Sequence, residues 1–271
     1  MSGALTYVAV GHLCVDELHD APERLGGTVY FSAAQAAAMG CEVSIVTSCT
    51  ADTAARARRS LPDGVALEVL GSGEDTRFRF GPDADVGPLG LVSTAQMLDV
   101  VPDDLLPDVL HLAPVFNELS PALIATARDH ARFVGATPQG LLRGTTPQGA
   151  LRFVADHWPA VADFADAIVL NDAEHDHLGG IGLLDDFPGL VFRTCGPEGA
   201  ALFHGGVEVA RVELEDSPPV PPQRTIGAGD VFAAAAFVAL ARGDLPEAAL
   251  DVAVRSATAY VQRPTDDWSE A

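Results

Sequence analysis

The chain has 271 residues, enough for one large domain with a substantial core, and 48% of them are apolar, which sets disorder aside. A formal net charge of −22 argues against nucleic acid or an anionic membrane surface as a partner. All 16 basic residues are arginine, so a G-x-x-x-x-G-K-[ST] phosphate loop and Schiff-base lysine chemistry are excluded, and any positive charge on a phosphate must come from Arg, a metal or backbone N–H groups.

In chain order, the start carries no basic region and no signal-peptide pattern, and no apolar run reaches membrane-spanning length, so a cytoplasmic protein is expected. The apolar run Tyr7–Val10 predicts a strand, and Gly11, Asp16 and the pair Gly26-Gly27 follow it. A helix is expected over Phe31–Met39, a strand over Val43–Thr47 and a helix over Thr53–Ser60. Residues 74–92 break the rhythm with the alternating Arg77-Phe78-Arg79-Phe80 and Gly- and Pro-rich turns, the pattern of a lid or edge hairpin.

The rhythm resumes with strand Val109–Leu112, helix Pro121–Ala131 and strand Phe133–Ala136, after which come Gln139 and Arg143. A helix is expected over Gly149–Val161. Strand Ile168–Leu170 leads into Asn171-x-x-Glu174, and strand Leu190–Arg193 into Thr194-x-Gly196-x-x-Gly199. Pro218-Pro219-Val220-Pro221-Pro222 reads as a stiff extended spacer. Helices over Val231–Arg242 and Pro246–Gln262 close the chain, with Gly243 at a helix C′ position and Pro246 at N1. Alternating β and α segments predict a largely parallel sheet covered by helices, with ligands gathered at the carboxyl ends of the strands. The four cysteines are scattered, so neither a zinc site nor a disulfide framework is indicated.

The most specific stretch is Gly227-Ala228-Gly229-Asp230, placed directly before the Ala-rich run. The glycines allow a tight turn and close approach to a ligand, and the first N–H groups of the helix form an anion site. An aspartate there repels an anion, unless it takes a proton from an attacking hydroxyl while the N–H groups hold a phosphoryl group. Read on their own, the same residues make a tight turn with a carboxylate complementing the helix dipole. Asn171 and Glu174 alone can end a strand and cap a helix. Gly199 alone suits a plain hairpin.

Taken in order, these pieces resemble the ribokinase-like (PfkB-type) carbohydrate kinases over essentially the whole chain, with an inositol-kinase-like small-lid member as the nearest type. The resemblance implies a single three-layer α/β domain over residues 1–271, with a central mostly parallel sheet flanked by helices. A small or reduced β lid is expected within residues 15–30 and 74–92. It implies ATP and Mg²⁺ as cofactors and transfer of the γ-phosphoryl group to a hydroxyl of a small polyhydroxy substrate, a sugar or cyclitol. It also places the roles. Asp230 is the general base, and Gly227, Ala228 and Gly229 form the anion hole. Asp16, Gly26, Gly27 and Gln139 bind the acceptor. Asn171, Thr194, Gly196 and Gly199 serve the nucleotide and phosphates, with Arg143 and Arg224 as candidate phosphate clamps. Glu174 organises the metal, through water. A nucleoside kinase and a catalytically silent sugar- or nucleotide-binding member are the alternatives, and a lid edge that can pair between subunits leaves a homodimer open. The chain departs from the family where Asp-x-Thr often precedes G-A-G-D: Arg224, Thr225 and Ile226 stand there instead.

Overall fold

The structure is a computed structural model that describes residues 3–81, 88–102, 105–155, 158–180, 182–214, 220–221 and 224–263. The chain opens with β1 (Thr6–Val10), β2 (Cys14–Glu17), β3 (Arg24–Gly26), α1 (Thr28–Ala38), β4 (Glu42–Cys49), α2 (Ala51–Ser60) and β5 (Ala66–Gly71). It continues through β6 (Thr76–Arg79), β7 (Gly90–Ser93), β8 (Val109–Leu112), α3 (Pro121–His130), β9 (Phe133–Ala136), β10 (Arg143–Thr145), β11 (Leu151–Phe153) and α4 (Trp158–Ala162). β12 (Ala167–Asn171), α5 (Asp172–Gly180), β13 (Leu190–Thr194), β14 (Gly199–His204), β15 (Val207–Glu213), α6 (Ala228–Ala241) and α7 (Pro246–Val261) complete it. Among the described residues no helix is long and apolar enough to cross a membrane.

Nine strands form the main sheet in the order β15-β14-β13-β12-β9-β8-β1-β4-β5. From β5 to β13 every neighbouring pair is parallel, and the β14–β15 hairpin adds an antiparallel edge. Side chains of β1 alternate across the sheet, as a two-residue period requires. Tyr7 and Ala9 enter one core with α1, α6 and α7, while Val8 and Val10 enter a second with α3, α4 and α5. Helices thus cover both faces, the three-layer α/β arrangement expected from the sequence. A second sheet of four strands, β3-β2-β6-β7, is drawn from residues 14–26 and 76–93.

Most expected elements lie within a few residues of the observed ones, and Gly243 is indeed the C′ residue of α6, with φ +93°. One expectation fails. Residues 149–161 are not a continuous helix: β11 pairs antiparallel with β10, and α4 begins only at Trp158. Thr146-Pro147-Gln148-Gly149 closes a tight turn, with the Gly149 amide donating to the Thr146 carbonyl (2.9 Å) and Gly149 at φ +82°. Turn chemistry there overrides the apolar spacing that suggested a helix. The spacer Pro218–Pro222 lies largely outside the described residues, as do residues 82–87 of the segment read as lid or edge hairpin.

α6 carries the Gly227–Asp230 turn, and its depth against the sheet depends on Gly135 of β9. A Cβ at Gly135 would run into the ring of Phe237. The nine residues from Val231 to Ala239 are all buried, so the helix has little room to shift. Gly135→Ala is therefore expected to overpack this contact and cost about 1–3 kcal/mol. Denaturant unfolding checks this: a midpoint unchanged from wild type would show that the α6 packing is looser than the structure indicates.

Candidate active site

Strand order reverses between β1 and β8, and loops leaving such a switch point diverge to open a crevice. Gly11, just past β1, keeps the two loops in contact, because a Cβ there would collide with the Ala113 carbonyl beyond β8. The buried Glu118 carboxylate lashes the loops together. It accepts from the amides of His12 (3.0 Å), Val115 (2.8 Å) and Phe116 (2.7 Å). Sequence reading missed Glu118, which belongs to no motif.

Gly227 is the N-cap of α6 in a left-handed conformation (φ +90°, ψ −9°), and a Cβ there would strike the ring of Phe31. Both observations require glycine. The Ala228 amide donates to the Thr225 carbonyl (3.0 Å) and the Val231 amide to the Gly227 carbonyl (2.9 Å). Between them, the Gly229 and Asp230 N–H groups have no backbone acceptor among the described residues. The space a Cβ of Gly229 would fill is open and the residue is exposed, so an anion can reach these donors.

The Asp230 carboxyl titrates far above its ordinary range, pushed up to about 7 chiefly by burial. A hydrogen bond from Thr28 and the charge of Arg143 oppose that rise, while Glu174 and Asp16 add to it. Arg143 donates to the Val115 carbonyl and to Gln139 Oε1 (both 3.0 Å), and its guanidinium lies 5.4 Å from the centroid of the Phe78 ring. Gln139 Nε2 in turn donates to Thr28 Oγ1 (2.7 Å). Gln139, expected to bind the acceptor, is thus engaged at both ends of its amide by protein groups. Thr28 was not singled out in the sequence, because a lone hydroxyl after two glycines carries no pattern.

Asp16 lies close by on β2, its carboxyl raised to about 6 mainly by burial, with Arg24 at 3.6 Å opposing. Gly26 and Gly27 have steric reasons beyond any ligand. A Cβ at Gly26 would meet the Asp16 carboxylate, and one at Gly27 (φ +95°) the His12 carbonyl. The glycine pair thus lets Asp16 and the β1–β2 loop approach the start of α1.

Asn171 and Glu174 form a reciprocal capping box at the start of α5. The Glu174 amide donates to Asn171 Oδ1 (2.9 Å) and the Asn171 amide to Glu174 Oε2 (3.0 Å). Glu174 is buried, its pKa raised by burial against the pull of Asn171 and Arg143. One carboxylate oxygen remains for water or a water-held cation, which fits a magnesium ion that keeps most of its hydration. Among the described residues no group of three or more His, Cys, Asp or Glu is poised to hold a metal directly.

Asn171 and Thr194 end adjacent parallel strands and are register partners. Gly196 (φ +56°) faces open space. Gly199 (φ +110°) packs where a Cβ would hit the Val212 carbonyl, a structural requirement of the β14–β15 hairpin. Beside this turn lies an open cleft of about 330 Å³ between β15 and α7, lined by Val212, Leu214, Val254, Arg255 and Thr258 among others. The two adjoin, since the Leu214 amide donates to the Glu198 carbonyl (3.2 Å). Arg224 precedes the Gly227 turn, its own amide donating to the Pro221 carbonyl (2.9 Å).

The sequence profile of the pfkB family carbohydrate kinases matches residues 161–268, the part that holds Asn171, Glu174, Thr194 and Gly227–Asp230. No curated protein sequence matches the chain. In solved structures the fold recurs. A pyrophosphate-dependent kinase in the ribokinase family, complexed with a pyrophosphate analog and myo-inositol, superposes with TM-score 0.77 at 18% identity, covering 98% of this chain and 100% of that one. Arabidopsis thaliana ribokinase with ribose and ATP gives TM-score 0.70 at 19% identity (98% and 95% covered). Ribokinase from Cryptococcus neoformans with ADP gives 0.72 at 18% identity (99% and 97% covered). The chain has the ribokinase-like fold, and the resemblance read from its motifs holds.

The raised pKa of Asp230 has a consequence for stability. Between about pH 4 and 7 the folded carboxyl holds its proton while the unfolded one has lost it, so this group's contribution falls as pH rises through that window. Asp230→Asn is therefore expected to stabilise the chain above pH 7 by on the order of 1–3 kcal/mol, discounted for partial exposure. The gain should fade toward pH 4. Thermal unfolding at pH 4.5 and pH 8 measures both; equal effects at the two pH values would contradict the burial cost.

Proposed function

We propose that the chain is a kinase that transfers the γ-phosphoryl group of ATP to a hydroxyl of a small polyhydroxy acceptor, a sugar or a cyclitol. The observation that carries this reading is Asp230: a carboxyl pushed up to about 7 by burial, seated beside two helix-terminal N–H groups that have no backbone acceptor among the described residues. A base so tuned is substantially ionised at neutral pH yet basic enough to accept the proton of an attacking hydroxyl. The Gly229 and Asp230 N–H groups offset the charge that develops on the transferred group. Asp16, behind Gly26, offers a carboxylate to neighbouring hydroxyls of the acceptor.

Magnesium, held through water at Glu174, would supply charge neutralisation for the phosphates. The cleft beside the Thr194–Gly199 turn supports ATP as donor, because it offers a partly apolar recess for a base next to the expected nucleotide turn. Two ribokinases among the similar structures carry ATP or ADP. A second reading, pyrophosphate as donor, is favoured by Arg224-Thr225-Ile226 in place of the family's usual residues and by the pyrophosphate-dependent neighbour. Arg224 and Arg143 would then carry more of the donor's charge.

Turnover with ATP and with pyrophosphate over a panel of myo-inositol, ribose, fructose and nucleosides tests this. Phosphorylation of a sugar or cyclitol is expected with one donor strongly preferred, and Asp230→Asn should lower it by about 10²–10⁴-fold. Full activity in Asp230→Asn would overturn the base assignment. Ligand binding without turnover of any acceptor by either donor would favour a silent binding protein.

A further inference from the structure

His12 stands at the root of the second sheet, where three passages of chain meet. It lies between β1 and β2 and is only 1% exposed. Its two ring nitrogens reach the two other passages. Nδ1 lies 2.7 Å from Thr76 Oγ1, at the first residue of β6, and Nε2 lies 2.7 Å from the Gln96 carbonyl, just past β7. A carbonyl oxygen only accepts, so Nε2 carries a proton. In the neutral ring Nδ1 is then the acceptor, and the Thr76 hydroxyl donates to it. Thr76 Oγ1 in turn accepts from the Ala95 amide (3.0 Å). One assignment of protons thus pairs every polar atom of the His12 and Thr76 side chains.

The main-sheet side of this joint is fixed independently. The His12 amide donates to Glu118 (3.0 Å) and the Leu13 amide to Thr47 Oγ1 of β4 (2.8 Å). Asp75, one residue before β6, accepts at its carboxylate from the Thr50 amide (2.8 Å) and the Thr53 hydroxyl (2.9 Å) at the start of α2. Its carbonyl accepts from the Ser93 hydroxyl of β7 (2.7 Å). Beyond this root, β2 runs parallel to β6, with Cys14 opposite Thr76 and Asp16 opposite Phe78. Asp16 therefore sits two residues along a ladder whose first rung abuts the imidazole. A planar ring fixes the separation and direction of its two nitrogens, so it sets both contacts at once, and the loop amides hold its backbone.

We propose that His12 is a positioning residue: its imidazole clamps the start of β6 and the segment after β7 to the loop beyond β1, and so sets where Asp16 stands in the crevice. The proposal rests on the reading of Asp16 as the carboxylate that meets the acceptor, but the clamp itself is testable without a substrate.

The experiment begins with ¹⁵N NMR of the full chain labelled at histidine, with His12→Gln assigning the ring resonances. The Nε2–H tautomer is expected, and the Nδ1 resonance should move in Thr76→Val, which keeps the shape and removes the hydroxyl. A proton on Nδ1 alone, or an Nδ1 resonance unmoved by Thr76→Val, overturns the proposal. Amide hydrogen exchange then reads the clamp. Loss of one bond in Thr76→Val should speed exchange over residues 14–17 and 90–93 by about 2–10-fold, and loss of both in His12→Leu by more, with β8, β9 and β12 unchanged. His12→Gln keeps a donor for the Gln96 carbonyl and should fall between wild type and His12→Leu. No rise, or an even rise over the whole chain, would contradict the clamp. In assays with ATP or pyrophosphate and myo-inositol or ribose, Thr76→Val and His12→Gln should raise the acceptor KM about 10-fold or more, with the donor KM within about twofold of wild type. An unchanged acceptor KM beside faster exchange would leave His12 a merely structural part. Wild-type turnover of no acceptor would instead sink the kinase reading, while the spectra and the exchange still decide the clamp.

Discussion

Charge balance around one guanidinium governs this site. Arg143 feels Glu174, Cys14, Asp230 and Glu118, and it is itself one of the charges that moderate Asp16. Four carboxylates thus share a half-enclosed crevice with Arg143 and the more distant Arg24. Burial pushes the carboxyls of Asp16, Glu174 and Asp230 toward their neutral forms, and at Asp230 the charges of Glu174 and Asp16 add to this. Arg143 opposes this rise at all three, its guanidinium held by the Val115 carbonyl and by Gln139. On the kinase reading proposed above, a site with this excess of negative charge suits a neutral, hydroxyl-rich acceptor. A phosphate donor can enter only where backbone N–H groups, a cation or another arginine meet it. The open face at Gly229 is such a place.

The sheet explains how residues so far apart in sequence come to one spot. Parallel strands deliver all their carboxyl ends to one edge, so the segments after β1, β8, β9, β12 and β13 converge without any long connection. Two close approaches then fix the depth of the crevice. Gly11 against Ala113 draws the first two loops together, and Gly135 under Phe237 lets α6 settle low enough to present Asp230 beside Thr28 and Arg143. Glu118 does by hydrogen bonds for the loop after β8 what the glycines do by omission of a Cβ.

Elements whose signal is periodic or terminal were legible in the sequence. The strands of the parallel sheet stand out as short apolar runs, α6 and α7 are bounded by Gly243 and Pro246, and the G-A-G-D turn announces a helix N-terminus. The residues that tune the site were not. Thr28 and Glu118 act through contacts with residues 111 and 106 positions away or through nearby loop amides, and no local spacing encodes such contacts. Residues 149–161 misled because helix-like apolar spacing competed with a Pro-Gly turn, and the turn won. For the glycines the sequence shows that a Cβ is missing without showing what it would have struck. Gly26 makes room for Asp16 and Gly227 for Phe31, whereas Gly229 alone of these three opens onto free space.

The unusual residues before the turn can be understood in the same physical terms. Where Arg224-Thr225-Ile226 replaces the more common pattern, backbone carbonyls of the turn are engaged by other described residues. The Thr225 carbonyl accepts from the Ala228 amide (3.0 Å), and the Ile226 carbonyl accepts from the Tyr260 hydroxyl of α7 (2.8 Å). Ile226 also packs against the main core and the small cluster around Phe78 and Val115. An apolar residue there exchanges a polar contact for burial, and α7 supplies the hydrogen bond that anchors the backbone. The geometry of Gly227–Asp230 is therefore secured from the protein side, independent of whichever phosphate donor approaches. On the kinase reading proposed above, what the substitution changes is the polarity of the donor's approach path, where Arg224 stands in place of a carboxylate.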